Sequence, residues 1–139
     1  MRVLFDTNVV LDVLLARAPH AAPATTLFDH VARKELDGLL GATTITTIFY
    51  LAAKATAVPT ARRHVQTLLS IFDVAPVTRS VLSAALHGGF KDYEDAVLHE
   101  AAREAGASAI VTRDPSGFAA SKLRVYDPAE LLRLVRAVE

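Results

Sequence analysis

Met1-Arg2-Val3-Leu4-Phe5-Asp6-Thr7-Asn8 opens the chain with an apolar run that ends on an acid. Apolar residues on consecutive positions predict a strand covered on both faces, as a central strand of a parallel sheet is. Open parallel sheets hold their ligands at the carboxyl ends of the strands. Asp6 therefore stands where such a sheet does its chemistry. Helical spacing follows at once, with Val9, Val10, Val13 and Leu14 on one side of a predicted helix from Val9 to Ala16. Ala18-Pro19-His20 breaks it.

The same alternation runs through the rest of the chain. A helix is predicted over Ala21 to Glu35, a short strand over Leu36 to Leu40, and a helix over Thr43 to Ala57. Val58-Pro59-Thr60 is a break, with Thr60 as N-cap of a helix carrying Val65, Leu68, Leu69 and Phe72. Val74 to Val77 reads as an edge strand, because Pro76 cannot donate to a central ladder. Helices follow over Arg79 to His87, stopped by Gly88-Gly89, and over Asp92 to Ala105, stopped by Gly106. Ala109 to Thr112 and Arg124 to Tyr126 are strands on either side of a turn near Pro115. Asp127-Pro128 is a cap and first-turn proline opening a last helix through Val138. Strands alternating with helices imply a three-layer α/β/α sandwich with a central, mostly parallel sheet, residues 1–139 forming a single domain.

Composition narrows the function classes. No apolar run reaches the roughly 18 residues a membrane helix needs, and the opening strand lacks a signal-peptide layout. The absence of cysteine excludes disulfides and thiolate metal sites and makes a cytoplasmic setting the default. Mean hydropathy is +0.31, high for this length, and suggests an apolar surface covered by a second copy, hence a homodimer. With 15 basic and 15 acidic residues the net charge is zero, which argues against nucleic-acid binding through a broad basic face. Setting four acids aside for cations leaves four basic residues in excess, so a nucleic-acid substrate stays open.

Three acidic loci carry the chemical signal. Asp6 and Asp114 follow two apolar strands, while Asp92 and Asp95 open a helix three residues apart on one face. Each is also a good helix cap taken singly. Taken together, Asp6, Asp92, Asp95 and Asp114 would repel one another in one site and hold extra protons unless a cation joined them. An all-oxygen donor set favours Mg²⁺ or Mn²⁺, the ions that support phosphodiester hydrolysis. Asn8 and Thr112 stand ready to orient those carboxylates. Lys91 and Arg113 flank two of them and could meet phosphate oxygens. No phosphate-binding glycine loop or serine-nucleophile motif is present.

Asp6-Thr7-Asn8, Lys91-Asp92-Tyr93-Glu94-Asp95-Ala96 and Val111-Thr112-Arg113-Asp114, with Phe118 just after, together resemble the PIN domain over nearly the whole chain. The likeness is greatest to the subgroup with Lys-Asp-x-x-Asp-Ala and a Thr-rich third helix. The resemblance implies a Mg²⁺- or Mn²⁺-dependent endoribonuclease, with metal roles for Asp6, Asp95 and Asp114 and Asp92 as a further acid. It also implies the toxin of a toxin–antitoxin pair, often dimeric and held inactive by a cognate antitoxin protein. One departure stands out: many PIN nucleases carry a Glu in the helix after the second strand, and here Thr47 lies near that position. A binding or assembly protein with a vestigial site is therefore the competing expectation. A phosphatase using Asp6 as phosphoryl acceptor fits less well, since Asn8 replaces the general acid expected two residues on.

Overall fold

A computed structural model describes residues 1–138. Five strands, β1 (Arg2–Phe5), β2 (Asp37–Gly41), β3 (Asp73–Ala75), β4 (Ala109–Val111) and β5 (Arg124–Tyr126), form one sheet in the order β3-β2-β1-β4-β5. All four pairings are parallel. The helices are α1 (Thr7–Leu14), α2 (Ala21–Ala32), α3 (Ala42–Ala55), α4 (Val58–Ile71), α5 (Arg79–Ala84), α6 (Tyr93–Glu104) and α7 (Pro128–Ala137).

Strand pleating splits the apolar residues between two cores. Val3, Phe5, Leu40 and Val111 point to one face, packed with residues of α1, α2, α3, α4 and α7. Leu4, Leu39 and Ile110 point to the other, under α5 and α6. Both faces are covered, as the unalternating apolar runs require. Phe5, Phe28 and Phe72 meet edge-to-face, each pair of centroids 5.1–5.8 Å apart, and lock the first core. Gly38 in β2 lies against this ring cluster: a Cβ there would stand 2.7 Å from the Phe72 ring and 2.9 Å from Val31. Gly38→Ala is expected to cost about 1–3 kcal/mol through overpacking, read as a lowered urea midpoint with unchanged slope.

Several boundaries differ from the sequence reading. Thr60 is not a cap: α4 starts at Val58, with Ala57 in the N-cap place and Pro59 in the first turn. First-turn N–H groups have no intrahelical acceptor, so the N–H that Pro59 lacks is not missed, and Pro59 starts the helix instead of breaking it. Helix α1 stops at Leu14 and α2 at Ala32, because Ala16 (φ +50°) and Lys34 (φ +62°) turn into the left-handed region. Phe72 caps α4 in an extended conformation and falls into the core. The last strand, and Asp127 as cap of the last helix in a full capping box with Glu130, stand as read.

The topology fixes where a site belongs. From β1 the chain moves outward to β2 and β3, then returns to the other side of β1 for β4. A crevice opens at the carboxyl ends of β1 and β4, where the strand order switches. Helix α6, leading into the parallel strand β4, must run back along the sheet and so begins at that same edge. Among the described residues no helix is long and apolar enough to cross a membrane.

Candidate active site

Pairing of Phe5 with Val111 sets Asp6 beside Thr112. The Asp6 backbone N–H donates to the Val111 carbonyl at 2.9 Å, extending the ladder by one bond. The Asp6 side chain caps α1, with Oδ1 accepting from the Thr7 N–H at 2.8 Å. Its Oδ2 accepts from Thr112 Oγ1 at 2.8 Å. That hydroxyl, fully buried, also accepts the Asp114 N–H at 3.1 Å. One threonine thus ties the two strand-end acids together. Asp114 Oδ1 is further held by Ser116 Oγ at 2.6 Å.

Asp92 is the N-cap of α6, its Oδ1 accepting from the Asp95 N–H at 3.1 Å. The cap aims the first turn of α6 across the crevice. Asp6, Asp92, Glu94, Asp95 and Asp114 all line one cleft of about 410 Å³. Gly117 leaves room for the convergence: a Cβ there would lie 3.0 Å from Asp95 Oδ2 and 3.7 Å from Asp114 Oδ2.

The electrostatics follow from this crowding. Burial pushes the Asp95 carboxyl up to about 7, helped by the charges of Asp6, Asp92, Glu94 and Asp114. Burial also raises Asp6 above the usual carboxylate range, against the Thr112 and Thr7 hydrogen bonds that favour its ionised form, with Glu94 and Asp114 adding to the rise. Near neutral pH Asp95 is poised between its protonated and ionised forms, and a cation in the cleft would favour the ionised one.

The donor chemistry fits a hard divalent cation, being carboxylate oxygen throughout. Gly117 provides a cradle between two of the donors. Among the described residues no three acids or histidines are already drawn into a closed cage. The acids line an open cleft, and a cation held by three of them would require side-chain adjustment.

The four aspartates picked out in the sequence come together in this cleft, and Asn8 lies beside them. Asn8 Oδ1 accepts from the Arg113 N–H at 3.3 Å, so it steadies the β4 loop. Arg113 lines the cleft as well. Lys91 does not; it lines an adjoining pocket with Phe90, Ser116 and Gly117. Thr47 is also outside the cleft, lining a separate pocket with Thr43, Thr46 and Tyr93. Thr44 of α3 is buried, its Oγ1 3.0 Å from Thr7 Oγ1. Tyr93 has a structural part, its hydroxyl donating to the Leu82 carbonyl at 2.8 Å. His99 is buried on α6, its Nε2 accepting from the Lys122 N–H at 3.0 Å and its ring against Phe90.

Two features escaped the sequence. Glu94 joins the cleft beside Asp95. Asp12, read only as a charge interrupting an apolar run, is 1% exposed and holds both Arg17 and Arg113. The spacing Asp12…Arg17, five residues across a helix end, was the available hint.

The family model for the PIN domain matches residues 2–116. Solved structures share the fold at low identity. VapBC from Salmonella typhimurium bound to DNA has a TM-score of 0.71 and 15% identity, over 92% of this chain and 98% of that one. Mycobacterium tuberculosis VapC20, described as a sarcin-ricin loop cleaving toxin, has a TM-score of 0.68 and 17% identity, over 85% and 94%. A Pyrobaculum aerophilum protein, PAE2754, has a TM-score of 0.63 and 23% identity, over 99% and 90%. No curated protein matches the chain by sequence.

Proposed function

The chain belongs to the PIN domain family, and on that premise we propose that it is a Mg²⁺- or Mn²⁺-dependent endoribonuclease, the toxin of a toxin–antitoxin pair. The observation that carries the reading is the gathering of acids from β1, β4 and α6 into one cleft, with Asp95 pushed up to about 7. Asp6, Asp95 and Asp114 are the residues that would hold the cation, with Asp92 and Glu94 at the rim. When bound, such an ion supplies an activated water and a Lewis acid for the phosphoryl oxygen.

The chain's own groups do the rest. Thr112 fixes the rotamer of Asp6 and the backbone of Asp114 through its single hydroxyl. Asn8 keeps the Arg113 backbone against α1. Arg113, and Lys91 from the adjoining pocket, are the cations available to phosphate oxygens. The partners in this reading are an RNA substrate and a cognate antitoxin protein. The likeness to solved toxin–antitoxin assemblies from Rickettsia felis and Klebsiella pneumoniae supports the second of these. A homodimer in the cytoplasm fits the apolar surface, which includes Tyr50, Leu69 and Leu86.

Purified protein is expected to cleave RNA with Mn²⁺ or Mg²⁺ and to lose all cleavage in EDTA, followed on structured and unstructured RNA by gel. Cleavage that persists in EDTA, or none with either ion, rejects the proposal. A second reading draws on the lack, among the described residues, of any α3 carboxylate in the cleft lining: a PIN-fold assembly protein with a vestigial site. Titration calorimetry separates them, since that reading requires no heat on adding Mn²⁺.

A further inference from the structure

Asp12 is a carboxylate almost sealed from solvent, on the face of α1 beside the cleft. Its Oδ1 pairs with Arg17 Nε at 2.8 Å, and its Oδ2 with Arg113 Nε at 2.8 Å. Arg113 Nη2 also donates to Oδ1 at 3.3 Å, giving that guanidinium a two-pronged grip. The backbone is shaped to the same end. Ala16 takes a left-handed φ of +50°, which turns Arg17 back so that its N–H donates to the Asp12 carbonyl at 3.0 Å. A non-glycine residue in that region is uncommon and is kept where the surroundings demand it.

One arginine would neutralise Asp12. Two leave a surplus positive charge, and both arginines line the acid cleft. Neither pairs with Asp6, Asp92, Glu94, Asp95 or Asp114 among the described residues. Nor do the Arg17 Nη groups or Arg113 Nη1 donate a hydrogen bond there. The guanidiniums are held in place, partly exposed, and withheld from the acids next to them.

We propose that Asp12, Arg17 and Arg113 form a pre-set grip for an RNA phosphate entering the cleft, the two arginines touching the phosphate and Asp12 positioning them. The inference rests on the reading of the cleft as an RNA site, and it names how the substrate is held. A planar guanidinium with its Nε edge anchored presents its Nη edge to a phosphate at little entropic cost. The surplus charge also offsets the repulsion between the acids and the phosphodiester.

The test uses a fluorescent single-stranded RNA and Mg²⁺, with binding followed by anisotropy across salt concentrations in an Asp95→Asn background that suppresses cleavage. Arg17→Gln and Arg113→Gln are each expected to weaken binding about tenfold and to flatten the log–log salt slope by about 0.7. Asp12→Asn adds a net positive charge, so simple attraction would tighten binding; a positioning role weakens it about fivefold or more. Arg17→Lys keeps the charge without the fork and is expected to weaken binding nearly as much as Arg17→Gln while leaving the salt slope unflattened. It serves as the deciding variant if Asp12→Asn melts early. Unchanged affinity and slope in the arginine variants overturn the grip and leave the nuclease reading intact. Weakened binding in those variants, with no cleavage by the otherwise native protein, supports the grip and removes the nuclease. A background protein that binds no RNA overturns both.

Discussion

Asp95→Asn is expected to lower Mn²⁺-dependent RNA cleavage on the order of 10³-fold, about 4 kcal/mol of transition-state stabilisation, while making the metal-free protein more stable. The opposite signs share one cause. Burial, then the charges of Asp6, Asp92, Glu94 and Asp114, lifts the Asp95 pKa from 3.8 to about 7. A folded-state pKa above the unfolded one means that the native protein binds the extra proton. The stability this confers is complete below about pH 4 and is lost as pH rises through 7. Asp95 is only half-buried, so solvent screening reduces the effect to about 1–2 kcal/mol, a few degrees in Tm. Wild-type protein in EDTA should melt earlier at pH 8 than at pH 5, and added Mn²⁺ should reverse the loss. Asp95→Asn should flatten the pH dependence and gain little from Mn²⁺. Calorimetric scans at two pH values with and without Mn²⁺ check all three. A variant that retains a tenth of the cleavage, or melts earlier in EDTA, would show that Asp95 serves only the fold.

The sequence made the central acids legible because each is set by local rules. Asp6 follows a run apolar on both faces, and Asp92 sits where α6 must be capped. The parallel pairing that joins Asp6 to Asp114 follows once the strands are recognised, since two parallel strands present their ends at one edge. Asp12 was hidden for the opposite reason. Its partner Arg113 is 101 residues away, and a charge within an apolar stripe reads as an interruption until that partner is seen. Glu94 was missed because consecutive helical residues diverge by about 100°. That rule weakens in a first turn lying at the mouth of a cleft, where side chains fan around the helix end. The α3 side was the least legible: among the described residues α3 contributes none to the cleft lining, and Thr47 lines the neighbouring pocket that shares Glu94 with it.

Glu94→Gln is the second large effect, and it addresses the carboxylate that α3 lacks. Among the described residues α3 places no carboxylate in the cleft lining, and its buried Thr44 hydroxyl is engaged with Thr7. Glu94 comes from α6, and its charge acts on Asp6 more strongly than that of Asp114. A carboxylate so placed supplies negative charge to the cleft from α6. Its removal is expected to cut cleavage about 10–100-fold, the size of effect seen when a group supporting a metal ligand is lost. It should also weaken Mn²⁺ binding, read by calorimetry, with one weak event lost and a tighter one kept. The stability effect should be smaller than for Asp95→Asn, because Glu94 is exposed and its own desolvation is slight. Glu94→Asp decides whether charge or shape is at work, and it should retain most of the cation binding. The cap of α6 stays intact in both variants, because Asp92 still accepts from the Asp95 N–H. Full cleavage and full Mn²⁺ binding in Glu94→Gln would mean that the cleft operates without this carboxylate, with Asp6, Asp95 and Asp114 sufficient by themselves.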